Sequence, residues 1–278
     1  MEWPMMMIDA RRGSAVWPKR ADSGILMPVV SGLIVVGVAL FAAAGVVVLE
    51  QLVPAARRQA HNDVVGFVYA VVGVAYAVIL AMVIVAAWNS LDEARVNTYT
   101  ETDALLQLDW YGHSLPQPQH SEVEDLVKKY TTTVIDTEWP LLARHQSSSQ
   151  AWAVFTQLRE LVSDQQPTAP AAVARYAQAL DAAADLGNAR RERIDQAGEG
   201  IPSMLWAALL LGGVITVAFA FAFGMRSRTA HVLVVFSLTL LMGALLLVTY
   251  QLNYPFSGAA RISPDAFELA LQRIQGIS

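Results

Sequence analysis

Asp, Glu, Lys and Arg are missing from four long stretches of the chain: Gly24 to Leu49, Val64 to Trp88, Ile201 to Gly224, and Val232 to Leu252. A hydrocarbon core about 30 Å thick asks for about 20 such residues in a helix, because nothing in lipid can solvate a charge or an open backbone group. Each stretch meets that length, so the chain is expected to be an all-α integral membrane protein with four transmembrane helices. With 55% apolar and 15% charged residues, the whole chain leans the same way. The first stretch follows Arg11, Arg12, Lys19 and Arg20 as a secretory leader would, but it is too long for a leader's apolar region and reads as a retained span. There is no cysteine, which excludes disulfides, thiol nucleophiles and cysteine metal sites.

The spans pair into two hairpins with short turns, Glu50 to Asp63 and Met225 to His231. Both turns then lie on one side of the membrane, and a polar segment of about 110 residues lies on the other with both termini. The expected organisation is a tail over residues 1–23, a first hairpin over 24–89, an extramembrane domain over 90–200, a second hairpin over 201–252, and a C-terminal turn and short helix over 253–278. Helical spacing recurs in the domain. Val123, Leu126, Val127, Tyr130 and Val134 make one stripe, Trp152, Phe155, Leu158 and Val162 a second, and Val173, Tyr176, Leu180, Ala184, Gly187 and Ile194 a third. Ser121 with Glu124 has the spacing of a capping box, and Pro170 suits a first helical turn. Pro140 is expected to end a helix at Glu138–Trp139. Span two is expected to continue past Trp88 through Leu91, Arg95, Tyr99 and Leu105. After Ser263 and Pro264, Phe267, Ala270, Leu271 and Ile274 form the apolar stripe of a short amphipathic helix, on the membrane surface or docked on the domain.

Span two contains a seven-residue phrase twice: Gly66 to Val72, then Gly73 to Ile79, each reading Gly-x-x-Tyr-Ala-Val with Val or Ile last. On a helix at about 100° per residue, Gly66, Ala70, Gly73, Ala77 and Ala81 fall within roughly 80° of one another. Small residues let helix backbones approach in lipid, and a seven-residue period favours a left-handed crossing. The stripe is therefore expected to be a helix seam, or else the lining of a narrow polar path flanked by Tyr69 and Tyr76, whose hydroxyls need partners or water.

Catalytic signatures are missing. The sequence has no P-loop, HExxH, GxSxG or EF-hand pattern, and "GEGIPS" at Gly198 to Ser203 follows a helical segment instead of a strand. His113, His120 and His145 lack ligand spacing, and Asp181 with Asp185 reads as a solvated helix face. No enzyme activity, cofactor or nucleic-acid partner is expected. Pumps and coupled carriers usually keep a charge inside the membrane, and these spans keep none. Charge collects at the ends: Arg57, Arg58, His61, Arg226, Arg228 and His231 at the short turns form an anion-attracting vestibule or meet lipid phosphates, while Ser90 to Glu199 holds 17 acidic and 9 basic residues.

Several segments resemble a family of bacterial four-span membrane proteins carrying a bestrophin-like domain: "HNDVVGFVYAVVGVAYAVILA" from His61, "EWP" from Glu138, "IPSMLWAALLLGGVIT" from Ile201, and "YPFSG" from Tyr254. The resemblance runs from about residue 25 to 268. It implies likeness to bestrophins, which are pentameric anion channels with a helical cytosolic region. No counterpart of the bestrophin neck or of its calcium-binding acidic cluster is present. The expected activity is a passive, homo-oligomeric anion pathway, with a non-conducting accessory or scaffold subunit of a membrane complex as the alternative. Expected partners are membrane lipids, further copies of the chain and other membrane proteins. Near the spans, ten Lys and Arg residues lie on the side of the termini (Arg11, Arg12, Lys19, Arg20, Arg95, Arg190, Arg191, Arg193, Arg261, Arg273) against four in the short turns. By the positive-inside rule this puts the termini and the helical domain in the cytoplasm of a cell with an inner membrane.

Overall fold

A computed structural model describes residues 23–277, which contain helices and connecting segments and no strand. The basic tail with Arg11, Arg12, Lys19 and Arg20 lies outside the described residues. The helices are α1 (Ser23–Leu52), α2 (Ala55–Gln59), α3 (Asn62–His113), α4 (Gln119–Thr133), α5 (Trp139–Leu142), α6 (Ser149–Ser163), α7 (Pro170–Gly198), α8 (Ser203–Ala222), α9 (Arg228–Leu252) and α10 (Asp265–Ile277). A π-helical turn, Val134–Glu138, joins α4 to α5. Four helices are long and apolar enough to cross a membrane: α1, the first half of α3, α8 and α9.

The spans do not pack as two separate pairs. α1 lies chiefly against α9, and α3 lies against both α8 and α9. Where α1 meets α9, a side chain at Gly243 would come within 2.7 Å of Val35 Cγ1, so the glycine sets that approach. Most bulky residues of the spans stay exposed, with Phe41 at 82% and Phe67 at 73%, as a lipid-facing or subunit-facing surface requires.

Below the spans, α3 runs on unbroken for 52 residues and carries the helical domain with it. Leu105 and Leu108 of α3, Val123, Val127 and Tyr130 of α4, Leu158 and Val162 of α6, and Leu186 of α7 are buried together in one core. α10 closes the core from the other end of the chain. Phe267 and Ile274 are fully buried and the helix packs on α3 and α4, so the C-terminal stripe docks on the domain and not on the membrane surface.

Four local expectations need correction. The capping box at Ser121 does not form, because α4 begins earlier, at Gln119, and Ser121 Oγ donates instead to Gln117 Oε1 at 2.8 Å. Pro140 does not stop its helix: the π turn absorbs the missing donor, and helix resumes to Leu142. The third stripe is partly out of phase. Val173 and Leu180 are 45% and 37% exposed, whereas Gly187 is buried and Tyr176 and Ile194 pack against the core; the buried face of α7 is Ala179, Ala182, Ala183, Leu186, Gly187, Ala189, Arg190, Arg193 and Ala197. Those two arginines are internal, so they do not belong in a count of charges near the membrane. Pro170 does open α7 as its first residue.

Candidate functional site

At the short-turn side, the chain uses its polar groups to close helix ends. The last carbonyls of α8 have no partners within the helix. Arg58 Nη1 donates to Phe221 O (3.1 Å) and Phe223 O (2.9 Å), and His231 Nε2 faces Ala220 O at 3.1 Å. Cations suit a helix C-terminus, whose carbonyls concentrate negative potential. Glu50, at the end of α1, joins the group through His231 Nδ1 (3.1 Å) and lies near Arg228 Nε (3.5 Å) and Arg58 Nη2 (3.9 Å). Asn62 completes the corner by donating to Gly224 O and accepting from Gly224 N, both at 2.9 Å. Of the six residues expected at a basic vestibule, Arg58 and His231 are therefore buried ties between spans. Arg57, His61, Arg226 and Arg228 are exposed.

The small-residue stripe of α3 makes no close helix contact at its glycines. A side chain at Gly73 would meet nothing within 4 Å, and one at Gly66 would reach only Phe223 at 3.8 Å. No tight seam within the chain forms there. Ala70, Gly73, Ala77 and Ala81 instead line one wall of an apolar groove of about 500 Å³, with Leu238, Leu241, Met242 and Leu245 of α9 opposite. Tyr69 sits at its edge, half-buried and edge-on to Phe223 with ring centroids 5.6 Å apart.

Close approach occurs one step around the helix, at Tyr76. Its ring lies on α8 where Gly212 and Gly213 leave room, and a Cβ at Gly212 would fall 2.5 Å from Tyr76 Cδ2. The Tyr76 hydroxyl is buried and has no hydrogen-bond partner among the described residues. Tyr76 thus anchors α3 to α8 and, like Tyr69, also lines the groove.

In the helical domain, four buried charges form one network. Glu138, aimed inward by the π turn, accepts from Arg190 Nη1 and Nη2 (both 2.6 Å), from Arg193 Nη2 (2.8 Å), and from the Ser148 amide (3.0 Å) that opens α6. Arg193 also donates from Nε to Glu101 Oε2 (2.6 Å) and from Nη2 to Glu101 Oε1 (3.0 Å), and Tyr130 donates to Glu101 Oε1 at 2.6 Å. Trp152 and Tyr130 face the Arg190 guanidinium, and Trp139 and Phe267 face that of Arg193. Burial alone would raise the Glu138 pKa, but Arg193 and Arg190 outweigh it and hold the carboxyl below its ordinary value. Burial works against a charged Arg193 too, and Glu101 with Glu138 raises it above the usual arginine value. Tyr130 is pushed well up, first by burial and then by Glu101. The arrangement can lock α3, α4, α6 and α7 together, but it offers no open position for a substrate.

Sequence reasoning singled out Glu138 and missed its partners. The available signal was the spacing of Ala182, Leu186, Arg190, Arg193 and Ala197, which puts two arginines on the buried stripe of α7. It also passed over Asp109, which is 1% exposed with both carboxylate oxygens unpartnered among the described residues. No group of three or more metal-ligating side chains is arranged to hold an ion among the described residues.

No curated protein matches the chain in sequence. Several solved structures match in fold, among them forms of a bacterial bestrophin homologue from Klebsiella pneumoniae. One single-site variant aligns with a TM-score of 0.64 at 14% identity, over 86% of this chain and 99% of that one. Another gives 0.64 at 12%, over 90% and 98%, and a further form 0.61 at 13%, over 90% and 98%. At such identities the likeness speaks for the fold. The bestrophin-like domain model matches residues 36–267, which takes in most of the first span, the other three spans, the helical domain and the start of α10, and the chain accordingly belongs to the bestrophin-like family.

Proposed function

We propose that this chain is the subunit of a passive, oligomeric anion pathway, in which copies converge on the small face of α3. The observation that carries the reading is the unfilled groove along Ala70, Gly73 and Ala77. A face built for close backbone approach, left empty by the chain's own helices, suits α3 helices of neighbouring copies standing around an axis. Gly66, Ala70, Gly73, Ala77 and Tyr69 then border the conduit. Arg57, Arg226 and Arg228, with His61, form a basic rim at one mouth, where one sign of charge raises the local concentration of the other. The spans carry no charge in their middle stretches, which favours passive conduction over coupled transport. Membership of the family supports the same class of activity. Orientation with the helical domain and termini in the cytoplasm of the inner membrane remains the favoured arrangement on the positive-inside rule.

Chloride flux into liposomes tests this, comparing the wild type with a variant in which Arg57, Arg226 and Arg228 are glutamine. Arg58 is left intact because it caps α8. The variant should conduct less at low ionic strength and match the wild type at high salt, where the rim's field is screened. An intact wild-type oligomer that passes no ion would favour the accessory-subunit reading. That alternative draws on the exposed row of Val96, Tyr99 and Trp110 on α3, at 58%, 47% and 64%, as a surface for another membrane protein.

A further inference from the structure

At the far end of α3, a second cluster of titratable groups lies outside the Glu101–Glu138 network. Asp109 is buried one turn from the point where Gly112 meets Val123, a contact so close that a side chain at Gly112 would lie 2.7 Å from Val123 Cγ1. α3 and α4 are therefore pinned directly beside it. Neither Asp109 carboxylate oxygen has a hydrogen-bond partner among the described residues. Its titratable and charged neighbours are His113 on the same helix and His120, Glu124 and Lys128 on α4. His113 Nδ1 stands 4.0 Å from Asp109 Oδ2 but is engaged at 2.9 Å with the Asp109 backbone carbonyl. The His113 and His120 rings are 4.7 Å apart, His120 Nε2 is 3.8 Å from Glu124 Oε2, and Glu124 pairs with Lys128.

We propose that Asp109, with the facing His113 and His120, is a proton-binding joint between α3 and α4, closed while Asp109 is protonated and loosened when it ionises. A neutral carboxyl can sit in this buried corner at modest cost. An ionised one, with no hydrogen bond to either oxygen, must draw His113 off its backbone carbonyl or part the helices to admit water. Burial raises the Asp109 pKa more than His113 lowers it, which agrees with this direction. The cluster is read as a proton site and not a metal site because its ligating atoms are not gathered for an ion. Its place matters because α3 is one rod from Asn62 to His113, so the joint holds the end of the helix whose other half bears the groove.

The inference does not depend on conduction and is tested on the full chain, as the purified oligomer. Thermal midpoints of wild type and Asp109→Asn are compared from about pH 4.5 to about pH 8. A folded pKa above the unfolded one means that the contribution of Asp109 to stability is fully present below the unfolded value and is lost as pH rises through the folded value. The variant should lack that loss, so its advantage over the wild type should grow from nothing in acid to a clear gain in midpoint in mild base. Infrared difference spectra should show a protonated-carboxyl band that persists above the ordinary aspartate range and is missing from the variant. Parallel pH profiles, or no such band, would overturn the proposal. Asp109→Leu serves if Asp109→Asn does not fold, and failure of both would also contradict it, since the closed joint is held with a neutral side chain there.

Discussion

Replacing Glu138 with glutamine would test whether the buried ion network holds the helical domain together. The wild-type network balances Glu101 and Glu138 against Arg190 and Arg193, and all four side chains are at most 1% exposed. Glutamine there leaves a net positive charge in the core and turns an amide NH₂ toward guanidinium donors. Breaking such a pair by removing one partner costs about 3–5 kcal/mol. At about 2–4 °C per kcal/mol for a chain this long, the midpoint should fall on the order of 10 °C. Arg191→Gln is the control, since Arg191 is exposed on the same helix and should move the midpoint little. Removing both charges, with Glu138→Leu and Arg190→Met together, should recover much of the loss because no unpaired charge remains. The pH dependence follows from the depressed Glu138 pKa. Its contribution is fully present above the unfolded glutamate value of about 4.3 and is lost as pH falls through the folded value. Thermal unfolding followed by circular dichroism reads all of this. A loss for Glu138→Gln no larger than that for Arg191→Gln would refute the reasoning.

Gly212→Val would drive a side chain into the Tyr76 ring and should destabilise the α3–α8 contact by roughly 1–3 kcal/mol, whereas Tyr76→Phe should cost little because the hydroxyl has no partner; thermal stability in detergent checks both. Gly73→Leu should leave the folded subunit intact, since its position is open, yet impair assembly in size-exclusion chromatography, while Val71→Leu should be mild. Phe267→Ala should cost about 3–5 kcal/mol because the ring is fully buried against the domain, and truncation after Gly258 should cost more; protease resistance of the domain reports either.

The spans were legible because lipid leaves one solution for a long charge-free run, and α3's continuation past Trp88 was legible because its helical spacing never lapses. Pro170 marked its helix start by the same local logic. Other features depend on partners far away in sequence. Tyr76 rests on two glycines more than a hundred residues later, so its side of α3 could not be told from the stripe side by spacing alone. On α7 the buried face is mostly alanine with two arginines, which inverts the usual reading of apolar as inside, and Val173 and Leu180 drew part of the stripe off that face. Arg58 and His231 looked like surface charge because the carbonyls they cap belong to another span. The π turn before Pro140 left no trace in composition, yet it is what aims Glu138 into the core.

The central claim is that copies of the chain meet on the small face of α3, and single-cysteine cross-linking in native membranes addresses it most directly. The chain has no cysteine of its own, so every cross-link reports the introduced pair. Ala70→Cys and Ala77→Cys lie on the groove side, and Ala75→Cys, also exposed, lies on the opposite side of the same helix. The account predicts oxidative cross-links between copies at Ala70 and Ala77 and few at Ala75. Cross-linking at Ala75 with none at Ala70 or Ala77 would contradict it.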